Sequence, residues 1–243
     1  MEFKDLRRID EGATVLLLLE HEAEIDDANL LHAYPWTRDD GERIMSFLDR
    51  GARTTWCMSR LLLRGALAQA ASVDPGKLAI VPGPFGKPRL EDSDIRFNLS
   101  HAPGCVILAL SRRGEVGCDI EDARSLGLGY RDIAPSCLQE CEMEYLAAAP
   151  DPRVGRDRFL AMFVEKEARL KALGAGLAVP PAGIRSAMKE PPFREATLAC
   201  FRSGEGGSRV IAVCLPSGLE ALELIACRYE GGRISPLEGR CYE

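Results

Sequence analysis

Residues 97–121 read FNLSHAPGCVILALSRRGEVGCDIE, and three strand-length pieces can be picked out of them. Phe97 and Leu99 alternate with Asn98 and Ser100, the pattern of a half-buried strand. CVILALS (105–111) is apolar nearly throughout, VGCDIE (116–121) follows, and the tight RRGE turn between them predicts a β-hairpin. On that reading Ser100 and His101 end one strand, and two carboxylates close the return partner of the next.

In a strand alternate side chains share a face, so Asp119 and Glu121 point one way while Cys118 and Ile120 point the other. Two carboxylates side by side repel unless something positive sits between them. Mg²⁺ suits such a pair, because it takes one or two protein carboxylates and leaves room for phosphates and waters. An acidic strand end in solvent is the competing reading.

Further along, RDRFLAMFVEKEARLKALG (156–174) predicts an amphipathic helix over 157–173. At about 100° per residue, Phe159, Met162, Phe163, Leu170 and Leu173 gather into one buried stripe. Glu167 and Lys171 are neighbours on its border, which suits either a cleft-facing pair or an ordinary surface pair. Glu165 and Arg169 fall on the far side. Lys166 projects into the stripe, so its stem packs there with the ammonium snorkelling out, or it meets a buried acceptor.

The Ser100-His101 dipeptide lacks a nucleophile elbow, and adjacent strand residues diverge, so it is poor evidence for a hydrolytic triad. Hydroxyl and imidazole at a strand end can instead bind phosphate oxygens, or His101 can simply hydrogen-bond in the turn. A zinc site of His101, Cys105 and Cys118 lacks further ligands at suitable spacing. In PFGKPRL (84–90) Lys87 is set between a flexible Gly and a rigid Pro, a cation on a defined loop or a solvated turn residue. There is no P-loop and no strand-borne G-x-G-x-x-G, so the common nucleotide cradles are absent.

The remaining chain is organised around these pieces. VLLLL (15–19) reads as a buried strand, too short to span a bilayer. HAYPWTRDDG marks a turn and a helix start, residues 40–71 read as one or two helices, and 131–149 is helical. GAGLAVPPAG breaks the chain, after which ATLACF, RVIAVCLP and ALELIACRYE alternate with Gly-rich turns as strands of an antiparallel-looking sheet. Helices and sheet in each half give an α+β class, with a seam near 122–130 and halves of 1–125 and 126–243.

Composition narrows the function. The 243 residues suffice for one large domain or two small halves with a real core. The net charge of −6 argues against a general nucleic-acid binder. Nine cysteines, an odd number without a CxxC pair, suit reduced buried thiols in a cytoplasmic protein. No signal-peptide order opens the sequence, and no membrane association is expected.

The order GKP, FNLSH, GCDIE and FVEKEARLKALG resembles the motif series of the 4′-phosphopantetheinyl transferases, of the long single-chain surfactin-synthetase-activating (Sfp) type. The motifs cover about residues 43–180. The resemblance implies an Mg²⁺-dependent enzyme that moves the 4′-phosphopantetheine arm of coenzyme A to a serine of an apo acyl or peptidyl carrier protein, releasing adenosine 3′,5′-bisphosphate. It implies two similar α+β halves related by a pseudo-twofold, with coenzyme A in the cleft between them, in a monomer. Asp119, Glu121 and Glu167 would ligate Mg²⁺, and Lys171 would bind the pyrophosphate. Arg53, Lys87, Ser100 and His101 would face the 3′-phosphoadenosine end. Glu167 or a metal-bound water would deprotonate the serine.

Two departures stand out. Phe163 replaces a common Trp, and the basic residues for the 3′-phosphate are represented only by the candidates Arg43 and Arg50. Ile133, Leu138 and Met143 are candidates to receive a carrier helix, and Arg124, Arg131, Arg153, Arg156 and Arg158 to meet an acidic carrier. A coenzyme A- or carrier-binding protein without turnover, and an unrelated Mg²⁺-dependent phosphohydrolase, are the alternatives.

Overall fold

The structure is a computed structural model, described here for residues 3–22, 25–26, 36–127, 129–174, 176–189, 193–195, 198–216, 221–230 and 233–237. The first four residues of HAYPWTRDDG (32–35) and Cys241 lie outside these residues. In chain order the elements begin with β1 (Thr14–His21), α1 (Arg38–Ser46), α2 (Arg50–Ala71), β2 (Ile80–Pro82) and β3 (Pro88–Leu90). Next come β4 (Arg96–Ala102), β5 (Cys105–Ser111), β6 (Gly117–Asp122), α3 (Ala123–Leu126), α4 (Tyr130–Cys137), α5 (Glu140–Ala147) and α6 (Pro152–Leu173). β7 (Phe193–Glu195), β8 (Leu198–Ser203), β9 (Arg209–Cys214), β10 (Leu222–Glu230) and β11 (Arg233–Pro236) complete the α+β fold.

The sequence VLLLL is apolar on both faces because β1 is covered on both. Val15, Leu17 and Leu19 pack with Met58, Leu62 and Leu67 of α2. Leu16 and Leu18, one residue out of phase, pack with Cys118, Ile120, Ile211 and Val213 of a second sheet. The other face of that second sheet receives Leu160, Val164 and Ala168 of α6. The layers therefore run helix, sheet, sheet, helix.

The first sheet has the order β11-β10-β1-β5-β4 and the second β6-β9-β8-β7. This corrects the expected hairpin of CVILALS and VGCDIE. β5 pairs with β1 and β4, its hairpin partner being β4 across Pro103-Gly104, whereas β6 pairs with β9. The RRGE turn carries the chain between sheets and is pinned there: Arg112 donates to Asp10, Asp94 and the Ala70 carbonyl. The expected antiparallel arrangement holds for β7, β8 and β9, but β10 runs parallel to β1. Thus β6, from the first 125 residues, belongs to the second sheet, and β10 and β11, from beyond residue 126, belong to the first.

Helix α6 starts at Pro152, earlier than the apolar pattern indicates, because Asp151 caps it by accepting from the Arg153 and Val154 N–H groups at 2.8 and 2.9 Å. It ends at Gly174, whose φ of +66° is the left-handed C-cap conformation that glycine adopts without strain. Phe159, Met162 and Leu170 are buried as expected, but Leu173 is 69% exposed, beyond the edge of the packed layers. Glu165 and Arg169 do not face solvent on a far side. Glu165 is buried, accepting from the Ala187 N–H at 2.9 Å and from Arg169 Nε at 3.1 Å, because the segment after the helix folds back over that face. Among the described residues no helix is long and apolar enough to cross a membrane.

Candidate functional site

Gly117 opens β6 where α6 crosses it. A Cβ there would stand 2.0 Å from the Ala168 carbonyl oxygen and 2.4 Å from the Ala172 nitrogen, so only glycine permits the approach. That contact brings the strand's acids against the helix's last turns. Cys118 and Ile120 point into the inter-sheet core, and Asp119 and Glu121 point the other way, as the strand period requires.

On the neighbouring sheet, β4 is fastened to β6 by a residue whose role the sequence reading missed. The Asn98 side-chain oxygen accepts from the Cys118 N–H at 2.8 Å. Ser100, two residues on and facing the same way, donates to Asp119 Oδ1 at 2.8 Å. Lys171 Nζ, from α6, reaches the same Oδ1 at 2.5 Å and Ser100 Oγ at 3.0 Å. Asp119 is 4% exposed, yet its second oxygen, Oδ2, has no hydrogen-bond partner.

Ser100, Asp119 and Lys171 line an open cavity of about 340 Å³ together with Leu99, His101, Glu121, Phe163 and Glu167. Six of the candidate site residues are thus brought together: Ser100, His101, Asp119, Glu121, Glu167 and Lys171. Arg53, in the first turn of α2, and Lys87 are not in the lining. Lys87 Nζ donates to Glu115 at 2.6 Å and to the carbonyls of Val116 and Ala172 at 3.0 and 3.2 Å, tying its loop to the ends of β6 and α6. It borders a separate 220 Å³ pocket beside Phe85, which is 78% exposed.

The electrostatics are those of crowded acids. Burial, then the Asp119 charge, pushes the Glu121 carboxyl up to about 7, against the pull of Lys171. Glu167 is raised by the same two causes. Burial alone would lower Lys171, but the Asp119 charge and hydrogen bond outweigh it and hold the ammonium above its ordinary value. Among the described residues no three His, Cys, Asp or Glu stand ready as a metal cage. The chemistry of the donor set nevertheless fits one hard cation. A bare buried carboxylate oxygen on Asp119 and the second carboxyl of Glu121, raised by burial and by the Asp119 charge, would suit Mg²⁺, which takes its other ligands from phosphate and water.

Two further features were not foreseen. His21 at the end of β1 is buried, with Nδ1 2.7 Å from the Glu22 carbonyl oxygen. Burial, then the nearby charges of Arg209 and His101, hold its imidazole below the usual value. Arg209 itself joins the sheets, lying 3.6 Å from Glu20 on β1 and 3.8 Å from Asp122 on β6, and donating to the Pro103 carbonyl at 3.1 Å.

The acids, the lysine and their strand and helix fall inside residues 115–214, which match a known family model. The match is to the 4′-phosphopantetheinyl transferase superfamily. Among curated relatives, the 4′-phosphopantetheinyl transferase of Bacillus subtilis is 31% identical over 122 residues, covering 49% of this chain and 52% of that protein. AcpT of Salmonella typhimurium, also a 4′-phosphopantetheinyl transferase, is 33% identical over 126 residues, 50% of this chain and 59% of its own. The 4′-phosphopantetheinyl transferase gsp of Aneurinibacillus migulanus is 31% identical over 124 residues, 51% and 49%. The chain thus spans about half the length of the phosphopantetheinyl transferases it matches.

Proposed function

We propose that this chain transfers the 4′-phosphopantetheine arm of coenzyme A to a serine of an apo carrier protein, as an enzyme of the Sfp type, releasing adenosine 3′,5′-bisphosphate. The observation that carries the reading is the buried Asp119 between Lys171 and Ser100, one of its oxygens without a hydrogen-bond partner, in the lining of a cavity shared with Glu121 and Glu167. Asp119, Glu121 and Glu167 would hold Mg²⁺. Bound there, the ion would neutralise charge on the diphosphate and polarise the phosphorus under attack.

The chain's own groups do the rest. Lys171 binds the diphosphate and stabilises charge that develops on the leaving phosphate. Ser100 and His101, adjacent on β4 and both lining the cavity, hold the nucleotide end. Arg53 and Lys87 would serve that end only from outside the cavity, since neither lines it. Glu167 is half-buried with a raised carboxyl, a suitable acceptor for the proton of the carrier serine. In-line placement supplies most of the remaining rate, since phosphoryl transfer asks for little covalent help.

The carrier would meet the face of α4 and α5. Ile133 is 41% exposed there and Met143 half-buried, whereas Leu138 is core. Arg131 and Arg153 are exposed and suit an acidic carrier, while Arg124 is committed to Asp122 and Arg158 to the Tyr145 carbonyl. The test is the nucleotide product. Adenosine 3′,5′-bisphosphate should appear only when an apo carrier is present. Carrier-independent release of phosphate or phosphopantetheine would favour a phosphohydrolase, and coenzyme A binding without any product would favour a non-catalytic binder.

A further inference from the structure

Strand β4 carries Ser100 and His101, and β6 carries Asp119 and Glu121. The two strands are edges of different sheets, and among the described residues no backbone ladder joins them. Side chains must therefore set their spacing. Asn98 does so early in β4. Arg209, which does not line the cavity, does so at the strand ends. It opens β9 in register with Asp122, the last residue of β6. From there its guanidinium crosses to the first sheet. Nε lies 3.8 Å from Asp122, one residue past Glu121, and Nη2 donates to the Pro103 carbonyl at 3.1 Å, two residues past His101. Nη1 lies 3.6 Å from Glu20 on β1.

Arg209, Glu20 and Asp122 are all buried. Both acids are also held by a second arginine, Glu20 by Arg228 at 3.0 Å and Asp122 by Arg124 at 2.8 Å. Charge thus alternates along Arg228, Glu20, Arg209, Asp122 and Arg124 across the two sheets. Cohesion does not require this row. Leu16, Leu18, Ile120 and Ile211 already fill the layer between the sheets, and well-packed apolar residues often replace a buried charge network without loss of stability. A rigid planar fork with several partners adds something else, a defined distance. We propose that Arg209 is a positioning residue that fixes the spacing of His101 and Glu121, so that one ligand engages both strands at once. A ligand with two points of attachment gains from the second only when the spacing fits. The proposal rests on the transferase reading for the identity of that ligand, coenzyme A.

Two probes separate positioning from other roles. Coenzyme A reaches both strands, whereas adenosine 3′-monophosphate reaches only the nucleotide end. Each is titrated against the intact chain with Mg²⁺ present, followed by nuclear magnetic resonance. Arg209→Met should keep its affinity for adenosine 3′-monophosphate within about 2-fold and lose at least about 5-fold in affinity for coenzyme A. Arg209→Lys keeps a cation between the acids but not the fork, and should show the same selective loss. It decides the matter if Arg209→Met does not fold. A folded variant with wild-type affinity for coenzyme A overturns the proposal, and so do equal losses for the two probes, which would make Arg209 a general attractor of anions. Loss of the fold in both variants would make it a stability residue and also overturn the proposal. Selective loss in a chain that modifies no carrier would leave the proposal standing and remove the transferase reading, and carrier modification with an unchanged ratio of affinities would do the reverse.

Discussion

Helix α6 carries two lysines, Lys166 and Lys171, each paired with a carboxylate from another element, and the two pairs are built to opposite ends. Lys166 and Glu142 are both fully buried. Both charged groups there have further partners: Glu142 also accepts from the Gln139 and Ser186 N–H groups at 2.7 and 2.6 Å, and Lys166 also donates to the Cys137 carbonyl at 2.8 Å. This closed network locks α4, α5 and the segment at Ser186 onto the helix. Lys171 and Asp119 leave one carboxylate oxygen bare and one side open to the cleft. A satisfied buried pair specifies structure, and an unsatisfied one at a cavity marks a place where something else binds.

The contrast can be broken first at its open end. Asp119→Asn should reduce carrier modification by about 10²–10³-fold or more, the scale for losing one charge-stabilising group, with little change in melting temperature. A steady-state assay beside a thermal melt separates the two, and an unaffected rate would move the site elsewhere. At the closed end, Lys166→Met leaves Glu142 buried without its counter-charge and should cost about 3–5 kcal/mol in urea unfolding. A cost under about 1 kcal/mol would show the pair to be dispensable.

Changing pH sharpens the same comparison. Burial raises the Glu142 carboxyl, but the hydrogen bonds from Lys166, Gln139 and Ser186 outweigh it and hold the group below its ordinary value. A depressed folded value means that stability is present above the unfolded carboxyl range, about 4.3, and is lost as pH falls through the folded value. Without Lys166 the buried carboxyl shifts upward, so stability falls as pH rises. The gap between wild type and Lys166→Met should therefore widen from about pH 4 to about pH 7 in urea melts. A constant gap contradicts the assignment. The smallest effect is expected at Leu173, where Ser should change stability by no more than about 0.5 kcal/mol, because the side chain is already in solvent.

The residues of the site were readable because their spacing acts locally. Asp119 and Glu121 share a strand face, and Glu167 and Lys171 share a helix face, whatever lies opposite. What brings the faces together was not readable as geometry: the close crossing at Gly117 and the Asn98 bond to Cys118 are long-range contacts. The hairpin failed for the same reason. An apolar strand and a tight turn satisfy the local rule, but β5 found β1, and β1 took β10 from the far end of the chain. Lys166 shows the limit most clearly. Its position inside an apolar stripe announced a choice between snorkelling and pairing, and the partner that decides it, 24 residues upstream, has no local signature. Glu165 was misplaced because a helix wheel assumes one buried face, and α6 is covered on more than one side.

The most direct test of the account is the intact mass of an apo carrier protein incubated with this chain, coenzyme A and Mg²⁺. A gain of one phosphopantetheine, lost when EDTA is added, is the predicted result. An unchanged carrier mass across fatty-acid, polyketide and nonribosomal-peptide carriers, with coenzyme A demonstrably bound, would contradict it.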